Sequence, residues 1–176
     1  MRLLVRDLKN ILIVRTDRIG DVVLTIPAIR AVKKAFPNAR VTVWVAAMTK
    51  DLVSGLSFVD EVITEDLKTG WFGYMRLVME LMQRKFDCAI IYHTKRRTNM
   101  ACALAGIPMR LGYLNDKGGK FLTHPIKDER HLGLKHESLY CLQLLEALDI
   151  HSNDVALQLP FQPEAEAWVQ DLFDKT

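Results

Sequence analysis

Residues 10–35, NILIVRTDRIGDVVLTIPAIRAVKKA, decide the fold. The run NILIVR (Asn10–Arg15) is short, apolar and β-branched, as a buried strand requires. The polar hexapeptide Thr16-Asp17-Arg18-Ile19-Gly20-Asp21 follows and is expected to form a loop. Beyond it Val22, Val23, Ile26, Ile29, Ala31 and Val32 recur at helical spacing, with Arg30, Lys33 and Lys34 on the solvent side. The order is therefore strand, loop, helix. Pro27 removes a backbone donor inside the helical pattern, which predicts a kink there or a restart with Thr25 as a new cap. Phe36-Pro37-Asn38 closes the segment.

The same alternation continues outward. RVTVWVA (Arg40–Ala46) reads as a second strand, residues 49–55 as a short helix, and residues 61–64 as a third strand. Residues 71–85 read as a helix with Phe72, Met75, Leu77, Val78, Leu81 and Met82 turned inward, and DCAIIY (87–92) as a strand buried on both faces. A small-residue helix over 98–105 ends at Gly106. Short strands over 110–113 and 121–124 flank a loop at 114–120 whose adjacent glycines predict mobility. The last strong helix spans 135–148, with Leu139, Leu142, Leu145 and Leu148 on one face. Strands alternating with helices predict an α/β, Rossmann-like, doubly wound and mainly parallel sheet covered by helices on both faces, with ligands at the carboxyl ends of its strands. Residues 1–160 are assigned to this domain and 161–176 to a linker helix opened by Pro163.

Composition narrows the class. With 176 residues, 49% hydrophobic and 26% charged, the chain has enough apolar material for one buried core, which excludes disordered and fibrous classes. Its apolar runs are broken by charge short of the roughly 18 residues that span a bilayer, and no signal-peptide pattern opens it. Cys88, Cys102 and Cys141 are odd in number and widely spaced, which fits buried thiols in a reducing cytoplasm. The net charge of +3 is unevenly spread. Residues 91–136 hold nine basic and three acidic side chains, whereas residues 137–176 hold one basic and eight acidic. The basic stretch suits phosphates, an anionic surface or a solvated face.

The loop after the first strand is the richest candidate for chemistry, because in a doubly wound sheet that position borders the ligand crevice. With a single glycine it is neither a dinucleotide fingerprint nor a P-loop. Asp21 falls in the first turn of the helix, where the positive end of the helix dipole favours a carboxylate. It reads either as a proton acceptor at the crevice or as an ordinary helix-start residue, with Asp17 and Arg18 as a surface pair. Gly20 serves a tight turn or close substrate approach. The strand 87–92 ends in His93-Thr94-Lys95-Arg96-Arg97 without a carboxylate, which argues against a phosphoacceptor receiver domain. Lys95, Arg96 and Arg97 read as phosphate contacts or as a solvated helix start. Arg110, Lys117, Lys120, Lys127, Arg130, Lys135 and His136 extend the positive region. His93, His124, His131 and His136 have no metal-ligand spacing, so no metal is expected, and no cofactor or nucleic-acid partner either.

Three ordered blocks carry a family likeness: ILIVRTDRIGDVVLTIPAIRAVKKAFPNARVTVWV, AGIPMRLGY and KHESLYCLQLLEALDI. Together they resemble the amino-terminal half of the ADP-heptose:lipopolysaccharide heptosyltransferases, inverting glycosyltransferases of GT-B architecture. The resemblance implies a domain that receives a lipid-linked lipopolysaccharide core acceptor, while an ADP-sugar donor sits on a second domain. It implies that Asp21, the aspartate of the R-I-G-D block, is the general base. By chemistry and location Arg18, Gly20, Lys95, Arg96 and Arg97 are the expected acceptor contacts. Family members run to about twice this length, so the chain is expected to need a donor-binding partner domain. The implied location is the cytoplasm, at the cytoplasmic face of the inner membrane, with the apolar and basic segment 1–10 as a candidate peripheral contact. The other readings are a noncatalytic anionic-glycolipid module and a nucleotide-binding Rossmann-like module.

Overall fold

β-branched and aliphatic runs that lack a polar face can only be satisfied by a strand covered on both sides. Such runs build the central strands in the computed structural model, which describes residues 8–65, 70–93, 95–116, 118–160 and 163–175. Strands β1 (Asn10–Arg15), β2 (Arg40–Ala46), β3 (Glu61–Glu65), β4 (Cys88–Ile91), β5 (Met109–Tyr113) and β6 (His124–Ile126) form one six-stranded sheet in the order β3-β2-β1-β4-β5-β6. Every neighbouring pair is parallel. Alternation along β1 divides the interior in two. Ile11 and Ile13 face one core with Val41 and Val43, beneath α1 (Ile19–Ala35) and α4 (Glu137–Leu144). Leu12 and Val14 face the other with Trp44, beneath α2 (Gly70–Arg84) and α3 (Arg96–Leu104). The sheet is doubly wound and Rossmann-like, and its order reverses between β1 and β4.

Several boundaries differ from the sequence reading. The loop after β1 is only three residues long, because α1 begins at Ile19 and takes Gly20 and Asp21 into its first turn. Helix α1 also runs unbroken through Pro27, whose ring is buried in the core. Thr25 does not cap a second helix. Its hydroxyl donates back to the Asp21 carbonyl at 2.8 Å, an i−4 bond inside the same helix. In α2 the buried set is Tyr74, Leu77, Val78 and Leu81, while Phe72 and Met82 are exposed. The tail of the 135–148 segment tightens into a 3₁₀ turn, Leu145–Leu148, with Leu142, Leu145 and Leu148 buried. Strand β6 begins at His124 rather than before it, since Gly119–Phe121 winds into another 3₁₀ turn. The glycines expected to loosen that loop are packed: the Asn99 amide donates to the Gly118 carbonyl at 3.2 Å, and Gly119 lies against Leu114. Helix α5 (Pro163–Asp174) follows an exposed stretch. Most of the segment 1–10 lies outside the described residues, as do Thr94 and Lys117. Among the described residues no helix is long and apolar enough to cross a membrane.

Glycine is needed in the sheet at Gly112, where an added Cβ would stand 2.9 Å from the Ile91 carbonyl oxygen and 3.2 Å from Leu122. Gly112→Ala is expected to lower stability by about 1–3 kcal/mol, seen as a lower melting temperature. A Cβ at Gly20 would meet nothing within 4 Å. Gly20→Ala in the same melting experiment is expected to leave the midpoint unchanged or raise it.

Candidate active site

Strand parity places the centre of the site. Arg15 is the last residue of β1 and shares the face of Ile11 and Ile13, so its side chain enters the interior beneath α1 and α4 and is only 2% exposed. A buried guanidinium must find acceptors for its donors. It donates to the Tyr92 carbonyl at the end of β4 (3.0 Å) and to Glu137 Oε1 in the first turn of α4 (3.2 Å). Its Nε is 3.0 Å from Asp17 Oδ1, and its Nη2 is 3.0 Å from Asp21 Oδ1 in the first turn of α1. Burial alone would lower the pKa of Arg15, but its carboxylate neighbours outweigh that and hold it above the ordinary value. The Asp17 carboxyl is lifted by burial, pulled down by Arg15 and lifted again by Asp21, with a net upward shift.

A second arginine completes the cluster. Arg130 makes a two-pronged pair with Asp128 (2.9 and 2.7 Å), lies 3.6 Å from Glu137 Oε1, and stacks 4.1 Å above the Tyr113 ring. Its Nη1 shares the Tyr92 carbonyl with Arg15, at 3.3 Å. Two guanidinia therefore face four carboxylates, and the surplus is negative. Asp21 lies at the rim of this cluster, with its side chain one-third exposed beside the end of the sheet. Arg15 and Thr25 hold its carboxylate and its carbonyl from below.

His93, just past β4, closes the other wall. Its Nδ1 accepts from the Thr16 backbone N–H (3.5 Å), which leaves Nε2 to donate to the Thr98 hydroxyl (2.9 Å). Burial, then the cations Lys95, Arg15 and Arg130, push its pKa down to about 3, so the ring is neutral. Lys95 donates to the Thr16 carbonyl at 3.3 Å, joining the start of α3 to the β1 loop.

The structure sorts the sequence-derived candidates. Asp21, Gly20 and Arg18 stand together at the start of α1, where Arg18 is the exposed N-cap and Gly20 has open space over its Cα. Lys95 reaches the same loop, and Arg96 is exposed at the start of α3. Arg97 turns the other way, its guanidinium 4.6 Å above the Tyr74 ring of α2. Asp17 pairs with buried Arg15 rather than forming a surface pair with Arg18. Much of the extended basic region is structural: Arg110 donates to the Phe121 carbonyl, Lys127 pairs with Glu129, Lys135 with Gln143, and Arg130 with Asp128. The sequence reading missed Arg15, Glu137 and Arg130 as site residues. For Arg15 the signal was present, since a charged residue in phase with the buried positions of a two-sided strand has nowhere to go but inward. Among the described residues no group of three or more His, Cys, Asp or Glu side chains could hold a metal ion.

Fold and site together define a class: the chain is a Rossmann-like, doubly wound α/β domain with a charged cluster at the point where its strand order reverses. No family model matches it. It is 26% identical over 133 residues to a "Putative glycosyltransferase" of Haemophilus influenzae, a match covering 76% of this chain and 38% of the relative. It is 25% identical over 106 residues to lipopolysaccharide core heptosyltransferase OpsX of the same organism, covering 60% of this chain and 30% of that one. A crystal structure of a glycosyl transferase family 9 protein from Veillonella parvula superposes on 99% of this chain and 50% of its own, with a TM-score of 0.81 at 22% identity. The chain thus spans well under two thirds of the length of each of these relatives.

Two measurements probe the cluster. Arg15→Met leaves three carboxylates without their buried counter-charge and is expected to cost about 3–5 kcal/mol in chemical denaturation. His93 is neutral in the fold, but once exposed in the unfolded chain it titrates near the ordinary 6.5. Below that pH the unfolded chain binds one more proton, so stability falls as pH drops from 6.5 towards about 3. His93→Gln should flatten this acid limb by about 1 kcal/mol per pH unit, measured as denaturation midpoint against pH.

Proposed function

We propose that this chain is the acceptor-binding domain of a heptosyltransferase-like glycosyltransferase that moves heptose from ADP-heptose to the inner core of lipopolysaccharide with inversion. The observation that carries this reading is Asp21: a carboxylate at the sheet's reversal point, oriented by a buried arginine, in a cluster with more negative than positive charge. Such a group suits general-base catalysis, where geometry comes first and protonation state second. Asp21 takes the proton from an acceptor sugar hydroxyl as that oxygen attacks the anomeric carbon of the donor. The new C–O bond forms on the face opposite the departing diphosphate, the anomeric C–O bond breaks, and ADP leaves with the electron pair. Arg15, with Nη2 3.0 Å from Oδ1, keeps the carboxylate aimed.

Arg18, Lys95 and Arg96 are the contacts for the acceptor's phosphates and acidic sugars, and the bare Cα of Gly20 lets a sugar ring approach the Asp21 carboxylate. Arg97, stacked on Tyr74, serves this site only from its outer edge. In this reading the donor nucleotide belongs to a second Rossmann-like domain. Glycosyl transfer of this kind needs no cofactor from this domain.

The test has two parts. In an NMR titration of the labelled chain, delipidated inner-core acceptor is expected to shift amides of the 16–21 segment and of residues 95–97, while ADP shifts none; ADP binding there without acceptor binding would identify a nucleotide module instead. With this domain joined to the donor-binding half of a relative, Asp21→Asn is expected to reduce transfer by roughly 10²-fold or more at unchanged melting temperature. Near-normal turnover would sink the base assignment.

A further inference from the structure

Helix α2 carries apolar side chains on two sides. Tyr74, Leu77, Val78 and Leu81 are buried in the core, whereas Trp71, Phe72, Met79 and Met82 are all more than half exposed, Phe72 at 87%. At 3.6 residues per turn, Phe72, Arg76, Met79 and Gln83 lie along the line of α2 farthest from that core. Core packing explains the first set and leaves the second unexplained. An apolar stripe of this kind on a folded domain marks contact with another body.

The surroundings of the stripe are mostly cationic: Glu80, the single acidic residue of α2, is paired with Arg84 at 2.7 Å. Exposed Arg76 stands between Phe72 and Met79. The Trp71 ring is 5.8 Å from that of Tyr74, and the Arg97 guanidinium is 4.6 Å from the same Tyr74 ring, so the aromatic edge runs directly into Lys95, Arg96 and Arg97. Helix α5 provides the contrast. It also exposes Trp168, Leu172 and Phe173, but acidic Glu166, Asp171 and Asp174 stand beside them. Of the two exposed apolar helices, α2 alone is complementary to an anionic surface.

We propose that the outer face of α2, together with the cationic start of α3, rests on the anionic surface of a lipid bilayer. Trp71, Phe72 and Met79 enter the boundary between headgroups and acyl chains, while Arg76, Arg96 and Arg97 stay among the phosphates. The choice of a bilayer as occupant rests on the lipid-linked acceptor of the proposed function. It is supported by position: Lys95, at the near end of the same cationic row, touches the loop that leads to Asp21. An acceptor held by its lipid in this surface projects its sugars along Lys95, Arg96 and Arg97 towards the base.

The experiment is flotation of the full 176-residue chain with vesicles of phosphatidylethanolamine containing a minority of phosphatidylglycerol, beside vesicles of phosphatidylcholine alone. Binding is expected to the first and not the second, to weaken with salt, and to fall roughly tenfold or more in Phe72→Ser/Met79→Ser. Both side chains are exposed, so the double variant should keep its melting temperature and its NMR response to soluble acceptor. Equal partitioning of wild type and double variant, or no partitioning of wild type, overturns the proposal. So does a wild-type dimer that the double variant dissolves, which would make a second copy the occupant. Vesicle binding through α2 without acceptor binding would defeat the proposed function alone, and acceptor binding without vesicle binding would defeat the surface alone.

Discussion

A single buried guanidinium sets the terms for the rest of this structure. Moving a charge out of water costs more than any one surface contact returns, so Arg15 is tolerable only where opposite charge and acceptors surround it. The partners come from three places: Asp17 and Asp21 at the start of α1, the Tyr92 carbonyl at the end of β4, and Glu137 at the start of α4. Each is at an element terminus, so satisfying Arg15 fixes how α1 and α4 enter the sheet. The two helices pack on one face because the aliphatic positions of β1 and β2 need cover, and their amino ends converge because Arg15 needs carboxylates. The requirement that stabilises this corner also orients Asp21.

Why chemistry collects at this corner follows from the strand order. The sheet reverses between β1 and β4, so the connections from these strands diverge to opposite faces and leave a crevice at their carboxyl ends. Side chains just past β1 and β4 then meet across it although they lie far apart in sequence. Thr16 against His93 and Lys95 against Thr16 are such meetings. A neutral His93 suits this wall, since burial and the nearby cations Lys95, Arg15 and Arg130 all disfavour a charged ring.

Legibility in the sequence followed the range of the interactions. Strands β1 and β2 are legible to the residue because their apolar runs are continuous and each carries an arginine at one end. Helix α2 is located and Leu77, Val78 and Leu81 face inward as expected, but two of the residues expected beside them do not. Hydrophobicity alone also places Phe72 and Met82 in the core, whereas the core stripe is Tyr74, Leu77, Val78 and Leu81 at spacings of three, one and three. Two apolar stripes on one helix cannot be ranked without knowing which side the sheet is on. The place of Asp21 in the first turn of α1 was readable because a helix start after a first strand is a local signal. Its support was not, because Arg15 and Glu137 are 122 residues apart and pairing at that distance leaves no periodic trace. The basic segment misled in the opposite direction: its net charge was correct, yet Arg130 and Arg110 are occupied by Asp128 and by the Phe121 carbonyl.

Helix α3 shows how one element serves two sides of the fold. Its first residues are cations because no acidic residue stands in the first turn, and the helix dipole offers them no stabilisation there. Structure alone would favour an aspartate or serine at this end. Instead Lys95 bends to the β1 loop and Arg97 to the Tyr74 ring, so the positive charges span the distance from the loop before Asp21 to the exposed edge of α2. The exposed Phe72 and the bare Cα of Gly20 break the same rule, since neither stabilises the folded chain. Places where a sequence declines the locally favourable residue are where selection acts on something other than folding. Here three of them follow one path, from the surface of α2 across the start of α3 to the first turn of α1. A lipid-linked sugar has that shape, with its chain at one end and the reacting hydroxyl at the other.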